Sequence, residues 1–144
     1  MEIRPYKNSD QEALLQLWTE CGLITGLNNP IQDIQRKSMV NPEWLLVGLK
    51  KGEIIASCMV GYEGHRGWIN YLAVTPTEQR QGYAHQMMTE AERLLKDAGC
   101  PKINLQVRSS NAGVVAFYES IGFKVDPVIS LGKRLENDAP YQVT

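Results

Sequence analysis

Charge of one sign is missing from this 144-residue chain: 15 Lys and Arg stand against 16 Asp and Glu, for a net charge of -1. Nucleic acid is held largely by clustered cations, so this balance argues against a nucleic-acid partner. Long hydrophobic runs are missing too. The longest, WLLVGL at 44–49 and IIASCMV at 54–60, fall far short of the roughly 20 residues that cross a bilayer. The opening MEIRPYKNSD carries no apolar signal segment, so no membrane association is expected. Cysteine is sparse and unpatterned: Cys21, Cys58 and Cys100 are odd in number, and with His65 and His85 they form no CxxC or HxxxH spacing. That favours reduced, buried thiols in a cytoplasmic protein over a disulfide or metal site. With no repeat, low-complexity stretch or linker, residues 1–144 read as a single domain.

What is present alternates. EIRPY (2–6) suits a short strand, and Ser9-x-x-Glu12 has capping-box spacing before a stripe of Ala13, Leu14, Leu17, Trp18 and Cys21 that Gly22 ends. Asn29-Pro30 reads as an N-cap with proline in the first helical position, opening a second helix that Asn41-Pro42 closes. WLLVGLK, a turn at Lys51-Gly52 and IIASCMVGY form a hairpin, and WINYLAV a further strand. Ala84, Met87, Met88, Ala91, Leu94, Leu95 and Ala98 mark one face of a helix, with Gly99 as its C′ residue. INLQV (103–107) is a strand, Asn111 caps a last helix ending at Gly122, and FKVDPVISLGKRL returns as one strand or two. The order β-α-α-β-β-β-α-β-α-β predicts an α/β or α+β domain.

TPTEQRQGYAHQMM (75–88) joins a strand directly to a helix. The first N–H groups of such a helix lack partners and their dipoles converge at the junction, which suits an anion. Gly82 and Ala84 leave room for a phosphate to approach the main chain. Neither a P-loop Gly-Lys-Ser/Thr nor a three-glycine dinucleotide fingerprint is present. A lone glycine also serves a plain turn, and on local physics both readings stand.

LAVTPTEQRQGYA, followed by NAGVVAFYESIGF, resembles the GCN5-related N-acetyltransferase (GNAT) superfamily, whose phosphate loop Gln/Arg-x-x-Gly-x-Gly/Ala is matched by Gln79, Gly82 and Ala84. LWTECGL, NNPIQDIQRK, GYEGHRG and SLGKRL resemble its YpeA subfamily of bacterial acetyltransferases. The resemblance implies a mostly antiparallel mixed sheet of six to seven strands, helices on both faces and a splayed strand pair between WINYLAV and INLQVRS. It implies acetyl-CoA as cosubstrate, with the pyrophosphate on the amides of Arg80, Gln81, Gly82, Tyr83, Ala84 and His85. Leu72, Ala73 and Val74 would pair with the pantetheine arm, and Asn111 would bond the cofactor while also capping its helix. Relatives often form homodimers through C-terminal strands, a place FKVDPVISL would take.

Acetyl transfer to an amine needs a neutral nitrogen, an oxyanion partner and a proton for the leaving thiolate. With the resemblance, Tyr118 is the candidate acid, two helical turns beyond Asn111; without it, Tyr118 reads as core packing beside Phe117 and Ile121. Two positions where relatives often keep a carboxylate hold Trp68 and Gln106, neither of which takes a proton. Glu63 and His65 remain as bases acting through water. A lysine-type amine is about 0.04% neutral at pH 7 and an α-amine roughly 14%, so the latter needs less help. The expected activity is direct transfer in a ternary complex to a small-molecule amine or peptide N-terminus. The rivals are a non-catalytic acyl-CoA-binding module and an acyltransferase using a longer acyl-CoA.

Overall fold

A computed structural model describes residues 1–142. Five strands form one sheet in chain order: β1 (Glu2–Pro5), β2 (Leu45–Lys50), β3 (Glu53–Tyr62), β4 (Gly67–Val74) and β5 (Ile103–Leu105). The first four pair antiparallel, and β5 joins β4 in parallel. β2 and β3 meet at Lys51-Gly52, both with left-handed backbones, as the hairpin reading requires. Four helices cover the sheet: α1 (Gln11–Glu20), α2 (Pro30–Lys37), α3 (Tyr83–Asp97) and α4 (Ala112–Ser120).

Each face of the sheet has its own apolar layer, because successive residues of a strand point to opposite sides. Leu45 and Val47 pack with Leu14, Leu17 and Trp18 of α1 and Ile34 of α2. Leu46, Cys58 and Val60 pack with Met87, Met88, Ala91 and Leu95 of α3 and Tyr118 of α4. Helices on both faces were expected. Trp18, Leu14, Met87, Met88 and Leu95 are among the most deeply buried side chains, each contributing on the order of 1.5–3 kcal/mol through removal from water. The crossover from β4 through α3 to β5 fits tightly at its start. A Cβ on Gly67 would lie 2.9 Å from Leu95 Cδ1 and 3.0 Å from Cys100 Sγ, so α3 sits directly on bare backbone there.

Three expectations need correction. The sheet has five strands among the described residues rather than six to seven, because FKVDPVISLGKRL forms no ladder. Pro127 interrupts that run and has no N–H to donate. Side chains hold it instead: Asp126 accepts from Lys102 Nζ and Asn104 Nδ2, each at 2.8 Å, and Gln106 donates to Ser130 Oγ. β5 stops at Leu105, short of the expected Val107. At the start of α1 the capping box falls to neither Ser9 nor Glu12. Asp10, 7% exposed, accepts from Lys7 N at 2.8 Å and from Arg4 Nη1 and Nη2 at 2.7 and 3.0 Å. The fixed pairs of the arginine fork outweigh a serine hydroxyl in that place.

Candidate active site

Two irregularities in β4 make the site. β5 pairs with Gly67, Trp68 and Ile69 alone, so Asn70 to Val74 have no neighbour strand on that side. The open side lies where a splay was expected, and it arises because β5 ends at Leu105. The β3–β4 register also slips between Ser57 and Met59, where Ser57 faces Ala73 and Met59 faces Asn70. Tyr71 sits in that bulge with φ of 52°. The extra residue reverses the alternation: Ile69 joins the α3/α4 layer before it, Val74 after it. Thr75 N donates to Ile55 O on β3 at 2.8 Å. Backbone groups alternate along a strand, so those of Val74 turn to the unpaired side. Val74 O is engaged there by Gln79 Nε2 at 2.9 Å and Cys21 Sγ at 3.2 Å. Gln79 thereby ties the loop that follows to the strand's open side.

That loop ends at Gly82, which precedes α3 with φ of 85° and no atom within 4 Å of where a Cβ would stand. Arg80 is also left-handed, at 63°. Among the described residues, no amide from Arg80 to His85 finds an acceptor, and the first N–H engaged is Gln86, to Gly82 O at 3.0 Å. α2 and α4 show the contrast, whereas α1, like α3, has no side-chain cap but carries Glu12 in its first turn. Asn29 caps α2 through bonds from Ile31 N and Gln32 N at 3.0 and 3.2 Å, and Asn111 caps α4 through Val114 N at 3.3 Å. α3 has no side-chain cap and no acidic residue in its first turn. A 15-residue helix thus directs its positive end and a row of bare N–H groups into solvent beside the open strand.

Tyr118 lies in the α3/α4 layer, 9% exposed, with Phe117 and Phe123 edge-on at 5.2 and 5.5 Å. Burial first, then the neighbouring Cys58, pushes its phenol up to about 12, so it stays protonated near neutrality. The packing reading of Tyr118 is therefore correct, and the protonated state a proton donor needs comes with it. Cys58, fully buried, is likewise pushed up to about 12 by burial and is no nucleophile. Glu63 and His65 are exposed on the β3–β4 loop, at the paired end of β4. Glu63 accepts from the amides of His65 and Arg66, which draw its carboxyl below the usual range. Trp68 is 37% exposed, and Gln106 is engaged with Ser130. Among the described residues no group of three His, Cys, Asp or Glu is placed to hold a metal ion.

The other face of the bulge holds a network that linear reading missed. Trp18 stacks on Tyr71 at 3.8 Å and 17°, and Trp18 Nε1 donates to Ser57 Oγ, which donates to Tyr71 O. Tyr71 Oη donates to Asp33 Oδ2 at 2.6 Å and accepts from Asn28 Nδ2. Arg36 donates to Asp33 Oδ1 at 3.0 Å and to Asp138 Oδ1 at 2.6 Å. Asp33 and Arg36 are thus more than the surface pair their spacing suggests. A cavity of about 390 Å³ opens here, lined by Asp33, Arg36, Lys37, Val40, Met59, Asn70 and Tyr71. The slip in WINYLAV, from odd to even apolar positions, was the available signal for the bulge. A larger cleft of about 500 Å³ between α1 and the β2–β3 turn carries Asp10, Glu20, Glu53 and Glu78, walls that would repel phosphate.

The comparisons agree with this geometry. The family described as acetyltransferase (GNAT) matches residues 8–123. An acetyltransferase of Pectobacterium atrosepticum is 42% identical over 98% of this chain and 100% of its own length. Among solved structures, an aminoglycoside 6′-N-acetyltransferase from Acinetobacter haemolyticus superposes with a TM-score of 0.71 at 19% identity, covering 94% of this chain and all of that one. An aminoglycoside N-acetyltransferase in complex with CoA gives 0.68 at 17% identity, over 92% of this chain and 99% of that one. With a half-unpaired β4 and an uncapped α3 beside a family match over residues 8–123 and a full-length relative, the chain belongs to the GNAT family of acetyltransferases.

Proposed function

We propose that this acetyltransferase moves the acetyl group of acetyl-CoA directly to a primary amine in a ternary complex. The observation that carries the reading is the row of unpartnered amides from Arg80 to His85 beside the unpaired side of β4. The amides of Arg80, Gln81, Gly82, Tyr83, Ala84 and His85 would receive the pyrophosphate, as bare helix N-termini do. The backbone of Leu72, Ala73 and Val74 would take the amide-bearing pantetheine arm as a strand takes a neighbour. Val74 N–H, turned to the open side, would polarise the thioester carbonyl. Asn111 uses Oδ1 as its cap, which leaves Nδ2 free to donate. Tyr118 would protonate the leaving thiolate, a role its raised pKa supports. Deprotonation by Glu63 or His65 through water is less economical: both lie at the far end of β4, and Glu63 is held by its own loop. The acceptor is a small-molecule amine or peptide N-terminus, and the whole chain, 1–144, acts as one cytoplasmic domain.

Calorimetry with acetyl-CoA, followed by thiol release over an amine panel, tests this. Binding with amine-dependent release is expected. Binding without release for every amine would identify an acyl-CoA-binding module, and no binding would end the reading.

A further inference from the structure

We propose that Tyr71 removes the acceptor's proton, with Asp33 behind it as a positioning residue that draws the phenolic proton onward. This rests on the transferase reading above and supplies the base that Trp68 and Gln106 leave missing. The bulge turns Tyr71 out of the regular strand, φ of 52°, at the boundary between the paired and unpaired halves of β4. Its ring is fixed by stacking on Trp18, and its carbonyl by Ser57. Tyr71 lines the cavity together with Asp33 and Asn70. The phenol oxygen donates to Asp33 and accepts from Asn28, and a second lone pair remains for an incoming N–H.

The groups facing Asp33 set its task. Asn28 from the α1–α2 loop and Arg36 one turn along α2 both donate to it, and Asp138, from the C-terminal arm, holds Arg36 from behind. Lys37 turns away to donate to Val60 O at 2.6 Å. Asp33 is therefore held in one orientation, and its Oδ2 takes the Tyr71 proton along an existing 2.6 Å bond. Burial first, then Asp33, raises the Tyr71 pKa above its ordinary value, so the phenol relays a proton rather than resting as phenolate.

The step balances as follows. An acceptor ammonium gives one proton to Tyr71 Oη as the Tyr71 proton passes to Asp33 Oδ2. The freed lone pair bonds the acyl carbon, the carbon–sulfur bond breaks, and Tyr118 protonates the thiolate. Asp33, 23% exposed, returns its proton to water, while the nitrogen's second proton leaves to solvent and Tyr118 is reprotonated from it.

The test compares Tyr71→Phe, Asp33→Asn and Asp33→Glu with the wild type on phenethylamine, which is protonated at neutral pH, and on trifluoroethylamine, which is not. Tyr71→Phe and Asp33→Asn should lower kcat/KM for phenethylamine by about 100-fold, the low end for acid–base groups. They should cost trifluoroethylamine less than about threefold, move the acid limb of the pH–rate profile, and leave acetyl-CoA affinity unchanged. Asp33→Glu should recover part of the loss. Equal losses on both amines, or an unmoved acid limb in Tyr71→Phe, would overturn the proposal. Wild type that binds acetyl-CoA yet acetylates neither amine nor any other in the panel would overturn the transferase reading, and this inference with it.

Discussion

Tyr118 shows how one side chain can satisfy two demands. Packed between Phe117 and Phe123 it completes the α4 side of the core, and the same burial keeps its proton on. Replacing it with Phe keeps the packing and removes the acid. Steady-state kinetics on Tyr118→Phe should show kcat reduced by about 100-fold to 10,000-fold, with acetyl-CoA affinity by calorimetry unchanged. Gly82 is the complementary case. Nothing crowds its α-carbon, so Gly82→Ala meets only the penalty of a left-handed backbone, about 1–2 kcal/mol. The methyl group would project where the open N–H row begins, and acetyl-CoA affinity should fall more than the melting temperature suggests. Gln79, Gly82, Ala84, Asn111 and Tyr118 came forward as candidates through the resemblance, whose motifs lie along one chain. Tyr71 did not, since its importance comes from a register slip relative to β3 and from partners at positions 18, 28, 33 and 57.

At the scale of elements, α2, α3, α4 and the first four strands follow from local signals that agree with their surroundings: Asn29-Pro30, Lys51-Gly52, Asn111 and two clean apolar periods. The missing C-terminal strands have a backbone cause. FKVDPVISLGKRL has strand-forming residues, but a strand needs a partner with free backbone groups, and Pro127 breaks the donor row. The contact between Gly67 and α3 carries its own prediction. Gly67→Ala drives a methyl into Leu95 and Cys100, and overpacking of this kind costs typically 1–3 kcal/mol. Urea unfolding should register that loss. Because Gly67 begins the paired half of β4, the same change should disturb the open side and weaken acetyl-CoA binding.

Across the whole molecule, the C-terminal arm leaves α4, passes along β5 and closes on α2, so it binds the two helical layers together from outside the sheet. Asp138 is its clasp, with a side chain only 3% exposed; it accepts from Arg36 at 2.6 Å and Asn29 N at 2.8 Å, and Arg134 lies at 3.3 Å. These partners, Arg36 foremost, lower its pKa to about 2. A folded value below the ordinary carboxylate value near 3.9 means that its contribution is complete above about pH 4 and lost as pH falls through about 2. Asp138→Asn should therefore lower the urea midpoint at pH 7, and its deficit against wild type should shrink in acid. The fold class was readable in the order of elements; this clasp was not, since it joins positions 36 and 138 with no local pattern to announce it. One further consequence lies in the bare amides at the head of α3. Having no internal acceptor, the N–H groups of Arg80 to His85 should trade hydrogen for deuterium early, and a bound anion should slow them selectively. The protein then carries its own isotopic gauge of donor occupancy, with which acyl-CoA chain lengths can be ranked by mass spectrometry before any acceptor is known.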